Sequence, residues 1–165
     1  MRDLPDPGFA GDDGSPSAGL TEALASYDAD PQRRHAATLA VLQHERLLVP
    51  VVAVLGDVQR GERGLQRDTS SDMATVLMRG QDGRTALLAF TGIDSLRRWN
   101  PEARPVPVAA PMAARSAAQE GADALVVDVA GPVLFVVEGE DLAELAAGSV
   151  LVAVSDRFGW LTPGR

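Results

Sequence analysis

Leu47-Leu48-Val49-Pro50-Val51-Val52-Ala53-Val54-Leu55 is an unbroken apolar run in a chain of 165 residues. It is too short for a membrane span and rich in β-branched residues. Apolar side chains at every position, rather than every second one, predict a strand buried on both faces. Pro50 has no N–H to give to a ladder, so it is expected near the strand's start or at a sheet edge.

The flanks of this run predict helices on one side and a hairpin on the other. Upstream, Leu20, Ala23, Leu24 and Tyr27 recur at i, i+3, i+4 and i+7, one apolar face of a helix. Asp30-Pro31 reads as an N-cap followed by proline at the first helical position. A second helix then runs to about Glu45 and packs Ala36, Leu39 and Ala40. Downstream, Gly56 to Asp72 is polar and reads as a long loop. Met73–Met78 and Thr85–Phe90 then flank Gln81-Asp82-Gly83-Arg84. This is a strong hairpin signal, because Gly83 accepts positive φ without strain.

Further along, Thr91 is expected to cap a short helix, with Asp94 three residues on and Ile93, Leu96 and Trp99 as its apolar side. Val106–Val108 reads as a strand, Pro111 to Gly121 as a helix, and Leu125–Val129 and Val133–Val137 as strands. Glu140–Ala147 is a helix closed by Gly148, and Val150–Val154 a last strand. The expected fold class is α/β (α+β): a single domain with a mixed β-sheet, one hairpin and about five covering helices. Residues 1–18 are dense in Pro, Gly and Asp and read as a disordered tail. Residues 19–160 are the domain and 161–165 a short C-terminal tail. No second domain is expected at this length.

Composition excludes more than it identifies. The apolar fraction of 45% supports a core, and aromatic residues at 4% leave Val, Leu and Ala to build it. A net charge of −8 disfavours nucleic acid and anionic lipid as partners. There is no cysteine, hence no thiolate nucleophile, disulfide or Cys-ligated metal. There is no lysine either; all 15 basic residues are Arg, so Schiff-base chemistry and the phosphate-loop lysine are excluded. Arg and Ala usage fits a GC-rich bacterial genome, actinobacterial in type. Met1–Gly19 lacks the apolar stretch of an export signal, and the reading places the chain in the cytoplasm.

The ordered series of motifs is similar to a known family. LLVPVVAVL (47–55), MATVLM (73–78), QDGR (81–84) and ALLAFT (86–91) are followed by Leu96, Trp99 and ARPVPV (103–108). EGADALVV (120–127) and Gly131-Pro132 complete the series. Together these resemble the N-terminal domain of the SseB family, the bacterial proteins of the enhanced-serine-sensitivity type, over roughly residues 20–150. The resemblance implies a domain without assigned chemistry and brings no catalytic residues. A sulfurtransferase role would need a cysteine nucleophile, and a secretion-translocon role long coiled-coil or apolar helices; this sequence has neither.

Few residues offer chemistry. His35 and His44 lie roughly 180° apart around one helix and share no metal. Glu138, Glu140, Asp141 and Glu144 are acids gathered at a helix start, which the helix dipole favours. No G-x-S-x-G elbow poises a serine, and Ser149 reads as a turn residue. Gly61-Glu62-Arg63-Gly64 lacks the spacing of a phosphate loop.

Two groups remain as partner or ligand contacts. They are Arg60, Arg63 and Arg67 on the 56–72 loop, and Arg97, Arg98 and Trp99 on the short helix. No catalytic residue, cofactor or metal site is expected. The expected role is a non-catalytic interaction or regulatory domain, its contact made by an apolar strand edge or by the 56–72 loop. Its partner would be a protein or a small molecule, and the apolar hairpin offers a homodimer surface. The alternative is a small-metabolite sensor, an amino acid being the class implied by the family's name; a pocket lined by Arg and Asp would support it. An enzyme using only Asp, Glu or Arg is the third reading.

Overall fold

A computed structural model describes residues 9–53 and 73–163. The described chain begins with a strap, 9–17, followed by α1 (Ala18–Ala29) and α2 (Pro31–Leu42). Ser17 starts α1: its hydroxyl accepts the Leu20 N–H at 3.0 Å. Leu20 and Leu24 go inward, as their spacing predicts. Asp30 precedes Pro31 at the start of α2 but makes no side-chain cap.

The apolar run becomes β1 (Arg46–Ala53). It pairs antiparallel with β2 (Met73–Thr75) on one side and β5 (Arg104–Ala109) on the other. Leu47, Leu48 and Val49 are buried, and they alternate between two hydrophobic clusters, so both faces of the strand are covered. Pro50 departs from the expectation: it lies mid-strand in the central strand of this sheet, opposite Pro105. The physical reason is a seam. Leu48 exchanges both backbone bonds with Phe90, at 2.7 and 2.8 Å, whereas pairing with β2 begins only at Val51. By the two-residue period, the backbone nitrogen of Pro50 points to the same side as that of Leu48. Its missing N–H therefore falls between one partner and the next, where no ladder bond is due.

The hairpin forms as its turn predicts. β3 (Leu77–Arg79) and β4 (Thr85–Ala89) are antiparallel, with Gly83 at φ +85° and the Gly80 N–H bonded to the Arg84 carbonyl at 2.8 Å. The expected mixed sheet has the order β3-β4-β6-β7. Its β6 (Ala124–Val127) is parallel to β4, and β7 (Phe135–Glu138) is antiparallel to β6. The β2-β1-β5 sheet joins it through the Leu48–Phe90 bridge, and the chain itself crosses between the two from β2 to β3.

Five helices are present among the described residues, including α3 (Ile93–Trp99), α4 (Ala110–Gln119) and α5 (Gly139–Ala147). The main core lies between the sheets and α1, α2, α4 and α5. In α4, Ala110, Ala113, Ala114 and Ala117 form an i, i+3, i+4, i+7 stripe, fully buried, whose small side chains let the backbone approach the sheet. α3 covers the opposite face through Leu96 and Trp99, packed with Leu88 and Phe90. β4 is thus buried on both sides.

A third sheet is an antiparallel pair, β8 (Val150–Val154) and β9 (Arg157–Leu161). β9 departs from the sequence expectation, which gives 157–160 no structure and assigns 161 to the tail. The two-residue connection carries Ser155 at φ 60°. Neither Ser155 nor Asp156 is the glycine that usually marks such a turn, so the hairpin leaves no local signature. Gln43 clamps this pair to α2. Its amide donates to the Leu151 carbonyl and accepts the Leu151 N–H, both at 2.8 Å.

Residues 9–17, which composition reads as tail, make specific contacts. Arg46, with 11% of its side chain exposed, bonds Asp12 at 2.7 Å. Its guanidinium also donates to the Ser15 and Thr91 carbonyls, each at 2.8 Å. The Gly14 carbonyl accepts the Ile93 N–H at 2.7 Å. A largely buried arginine at the start of β1, rather than anything in the local composition, holds this strap.

Candidate functional site

In open sheets, ligands gather beyond the carboxyl ends of parallel strands, because the chain there turns away and leaves a crevice. β4 and β6 are the parallel pair, and Thr91 and Asp128 lie at their carboxyl ends. The backbone ladder makes one more bond, from the Asp128 N–H to the Ala89 carbonyl at 3.0 Å. Beyond it side chains take over. Asp128 accepts the Thr91 N–H at 2.9 Å through Oδ1 and the Thr91 hydroxyl at 2.8 Å through Oδ2. Asp128 adopts φ +57°, a left-handed conformation that Asp tolerates better than most residues. The turn closes with the Gly131 N–H on the Asp128 carbonyl at 2.9 Å, before a cis Gly131–Pro132 bond.

This pairing corrects the expected cap of α3. Thr91 does not cap the helix: it lies one residue before the N-cap, and its hydroxyl is turned to Asp128. Gly92 occupies the N-cap position, and Ser95 closes the turn by donating to the Gly92 carbonyl at 3.0 Å. Only glycine fits at 92: a Cβ there would sit 2.7 Å from Pro16 Cδ and 2.9 Å from the Gly14 carbonyl oxygen.

Asp128 lines a cavity of about 420 Å³. Its polar wall is Thr91, Ser95 and Asp128, with the exposed Asp94 and Arg98 of α3 at the mouth. Its apolar wall is Leu24 and Ala25 of α1 with Val133 after the turn, and Pro16 of the strap closes one side. Asp128 is 1% exposed. Burial pushes its carboxyl above the ordinary carboxylate range; the Thr91 bonds, the Ser95 hydroxyl and the Arg98 charge draw it partly back.

The cluster expected on the short helix is divided by the fold. Arg98 reaches the cavity, Arg97 is exposed, and Trp99 turns the other way. Trp99 packs on Phe90 with ring centroids 5.6 Å apart and belongs to the second hydrophobic cluster. Arg60, Arg63 and Arg67 lie outside the described residues.

The acids around the start of α5 have separate partners. Glu138 pairs with Arg84 at 2.7 Å, Asp141 accepts the Trp160 indole N–H at 3.1 Å, and Glu144 accepts the Ser149 hydroxyl at 2.6 Å. Among the described residues no three His, Asp or Glu side chains are grouped to hold a metal ion. His35 stacks on Phe135 at 4.7 Å with its Nε2 3.0 Å from the Val136 carbonyl, while His44 is exposed.

Sequence reading misses Asp128, Thr91 in its actual role, and Ser95. A signal exists: Asp128 is the lone acid in Leu125-Val126-Val127-Asp128-Val129, followed closely by a Gly-Pro turn. An acid at the end of a buried strand is costly unless something satisfies it.

Fold and site together define a small α+β domain with a mainly apolar cavity, carrying a few polar groups, at the ends of its parallel strands. A family model, SseB protein N-terminal domain, matches residues 20–144, and the chain belongs to the SseB family. No curated protein and no solved structure matches the chain. Every cavity-lining residue except Pro16 lies within the matched region. Among the described residues no helix is long and apolar enough to cross a membrane.

Proposed function

We propose that this chain is a non-catalytic regulatory domain that binds a small polar metabolite in the cavity between α1, α3 and the turn after β6. The observation that carries the reading is Asp128: a buried carboxyl opening on a cavity whose mouth bears Asp94 and Arg98. Charges of both signs around an apolar wall suit a compact molecule with both kinds of group, an amino acid being one example. Among the described residues no histidine, the commonest general base, joins the Thr91–Asp128 pair in this cavity, which supports binding rather than turnover.

The test is native mass spectrometry of the protein purified from its own cells. A stoichiometric small molecule, lost on Asp128→Asn with the fold intact, supports the reading. A bare mass for the wild-type protein under all conditions, with no metabolite raising its Tm, overturns it.

A second reading, a protein-interaction module, is favoured by the β8–β9 pair. Val150, Val154 and Leu161 share its outer face by the two-residue alternation. They are 41%, 61% and 59% exposed. A partner captured by the wild type and lost on Val154→Thr with Leu161→Thr would favour this reading.

A further inference from the structure

The charges around the cavity are unequal, and the imbalance defines what fits. Asp128 receives neutral donors, the N–H and O–H of Thr91. Among the described residues no Arg or His approaches it within the 4.0 Å of an ion pair, whereas Asp12, Asp30, Asp141 and Glu138 each have such a neighbour. A carboxylate offers about four lone-pair directions, and Thr91 takes two. Buried charges are ordinarily paired or bound to a cation, because desolvating one alone is costly.

Resting on the reading of this cavity as the binding site, we propose that its ligand is an organic ammonium compound whose –NH₃⁺ group sits against Asp128. A metal ion is the other way to complete such a site. Calcium or magnesium demands about six or more oxygen ligands. No group of three His, Asp or Glu side chains converges here among the described residues. An ammonium needs only three acceptors. Asp128 supplies one or two, and the hydroxyl oxygens of Thr91 and Ser95 are on the same wall.

Asp94 adds a second negative charge at the mouth, so the field along the entry favours a cation. Arg98, one turn on, offsets it in part and leaves a place for an anionic outer end. Leu24, Ala25 and Val133 give the carbon skeleton an apolar surface. The volume of about 420 Å³ holds a skeleton of several carbons with its ammonium inside.

The test is an NMR titration of backbone amides with three probes of one carbon skeleton: n-butylammonium, butyrate and 1-butanol. Butylammonium is expected to shift the Thr91, Ser95 and Val133 amides saturably, and the other two are not. Asp128→Asn keeps an acceptor and removes the charge; it should weaken butylammonium at least about tenfold, the scale of a broken buried charge pair. Asp94→Asn, at an exposed position, should weaken it about two- to threefold and carries the test if the Asp128 variant does not fold.

Saturable binding of butyrate or butanol in place of butylammonium overturns the ligand class and leaves the cavity as the site. Butylammonium binding unchanged in both variants also overturns the class. No response to any probe overturns class and site together.

Discussion

Asp12 on the strap and Asp128 at the end of β6 are joined by one hydrogen-bonded path, Asp12–Arg46–Thr91–Asp128. Their surroundings push them in opposite directions. Burial works against the charge of Asp12, yet the Gly14 N–H and the Arg46 guanidinium hold its carboxyl below the ordinary value. Burial works against Asp128 too, and there it prevails over the Thr91 bonds, the Ser95 hydroxyl and the Arg98 charge. The difference is the counter-charge. A guanidinium at 2.7 Å settles Asp12. Neutral donors and an arginine at the cavity mouth do not settle Asp128, because only a charged donor in direct contact matches the loss of water. The strap end is a finished clasp, and the β6 end is a site with charge still unmet.

The largest expected effect breaks the clasp. Arg46→Ala leaves Asp12 and two carbonyls without their donor. It is expected to cost about 3 kcal/mol in urea unfolding, the scale of lost bonds to a charged group. The strap should then detach, and the Ile93 amide, bonded to the Gly14 carbonyl, should lose hydrogen-exchange protection. An unchanged Ile93 protection factor would show that Arg46 is not the anchor.

Gly92→Ala attacks the same contact from the other side. The new Cβ meets Pro16 and the Gly14 carbonyl at distances real contacts do not reach, so the strap must shift. A loss of about 1–2 kcal/mol is expected, within the range for overpacking, with Ile93 protection again reduced.

Asp12→Asn sharpens the comparison through pH. The folded carboxyl lies below its ordinary 3.8, so the native state binds fewer protons than the unfolded chain. Its contribution is present at neutral pH and is lost as pH falls through 3.8 and below. The Tm gap between wild type and Asp12→Asn should therefore close in acid. A gap that widens in acid would contradict the assignment.

Asp128→Asn is expected to give the smallest change and the opposite slope. The folded carboxyl lies above 3.8, so the native state holds its proton longer than the unfolded chain does. Wild-type stability relative to the variant should fall as pH rises through 3.8 and beyond. Matched Tm series from pH 3 to pH 7 would check both slopes at once. Parallel slopes for the two variants would remove the distinction between clasp and site.

Local chemistry made much of the frame legible. The apolar run of β1, the Asp-Gly hairpin, the helix opened near Pro111 and the helix ending at Gly148 with φ +89° each follow from short-range rules. The candidate site was legible only in Arg98, noted for its charge beside Trp99. Thr91 and Asp128 are 37 residues apart, and nothing local to either says that they meet. Thr91 reads as a helix cap because Ser, Thr and Asp usually cap when they precede a helix. It fails to do so because α3 begins one residue later, with Gly92 at the N-cap, and the Thr91 hydroxyl is turned to a carboxylate one strand away.

By itself, then, the sequence determined the element types, the absence of thiol and lysine chemistry, and membership of a family whose ordered motifs it carries. Tertiary structure alone decided where Pro50 is tolerated, what holds the strap, which face of α3 meets a cavity, and that Asp128 is buried with no counter-charge in direct contact among the described residues. Periodicity and turn chemistry act over a few residues and are written in the chain. Pairing across β1, β4 and β6, and the burial of a charge, depend on which distant segments come to lie beside one another.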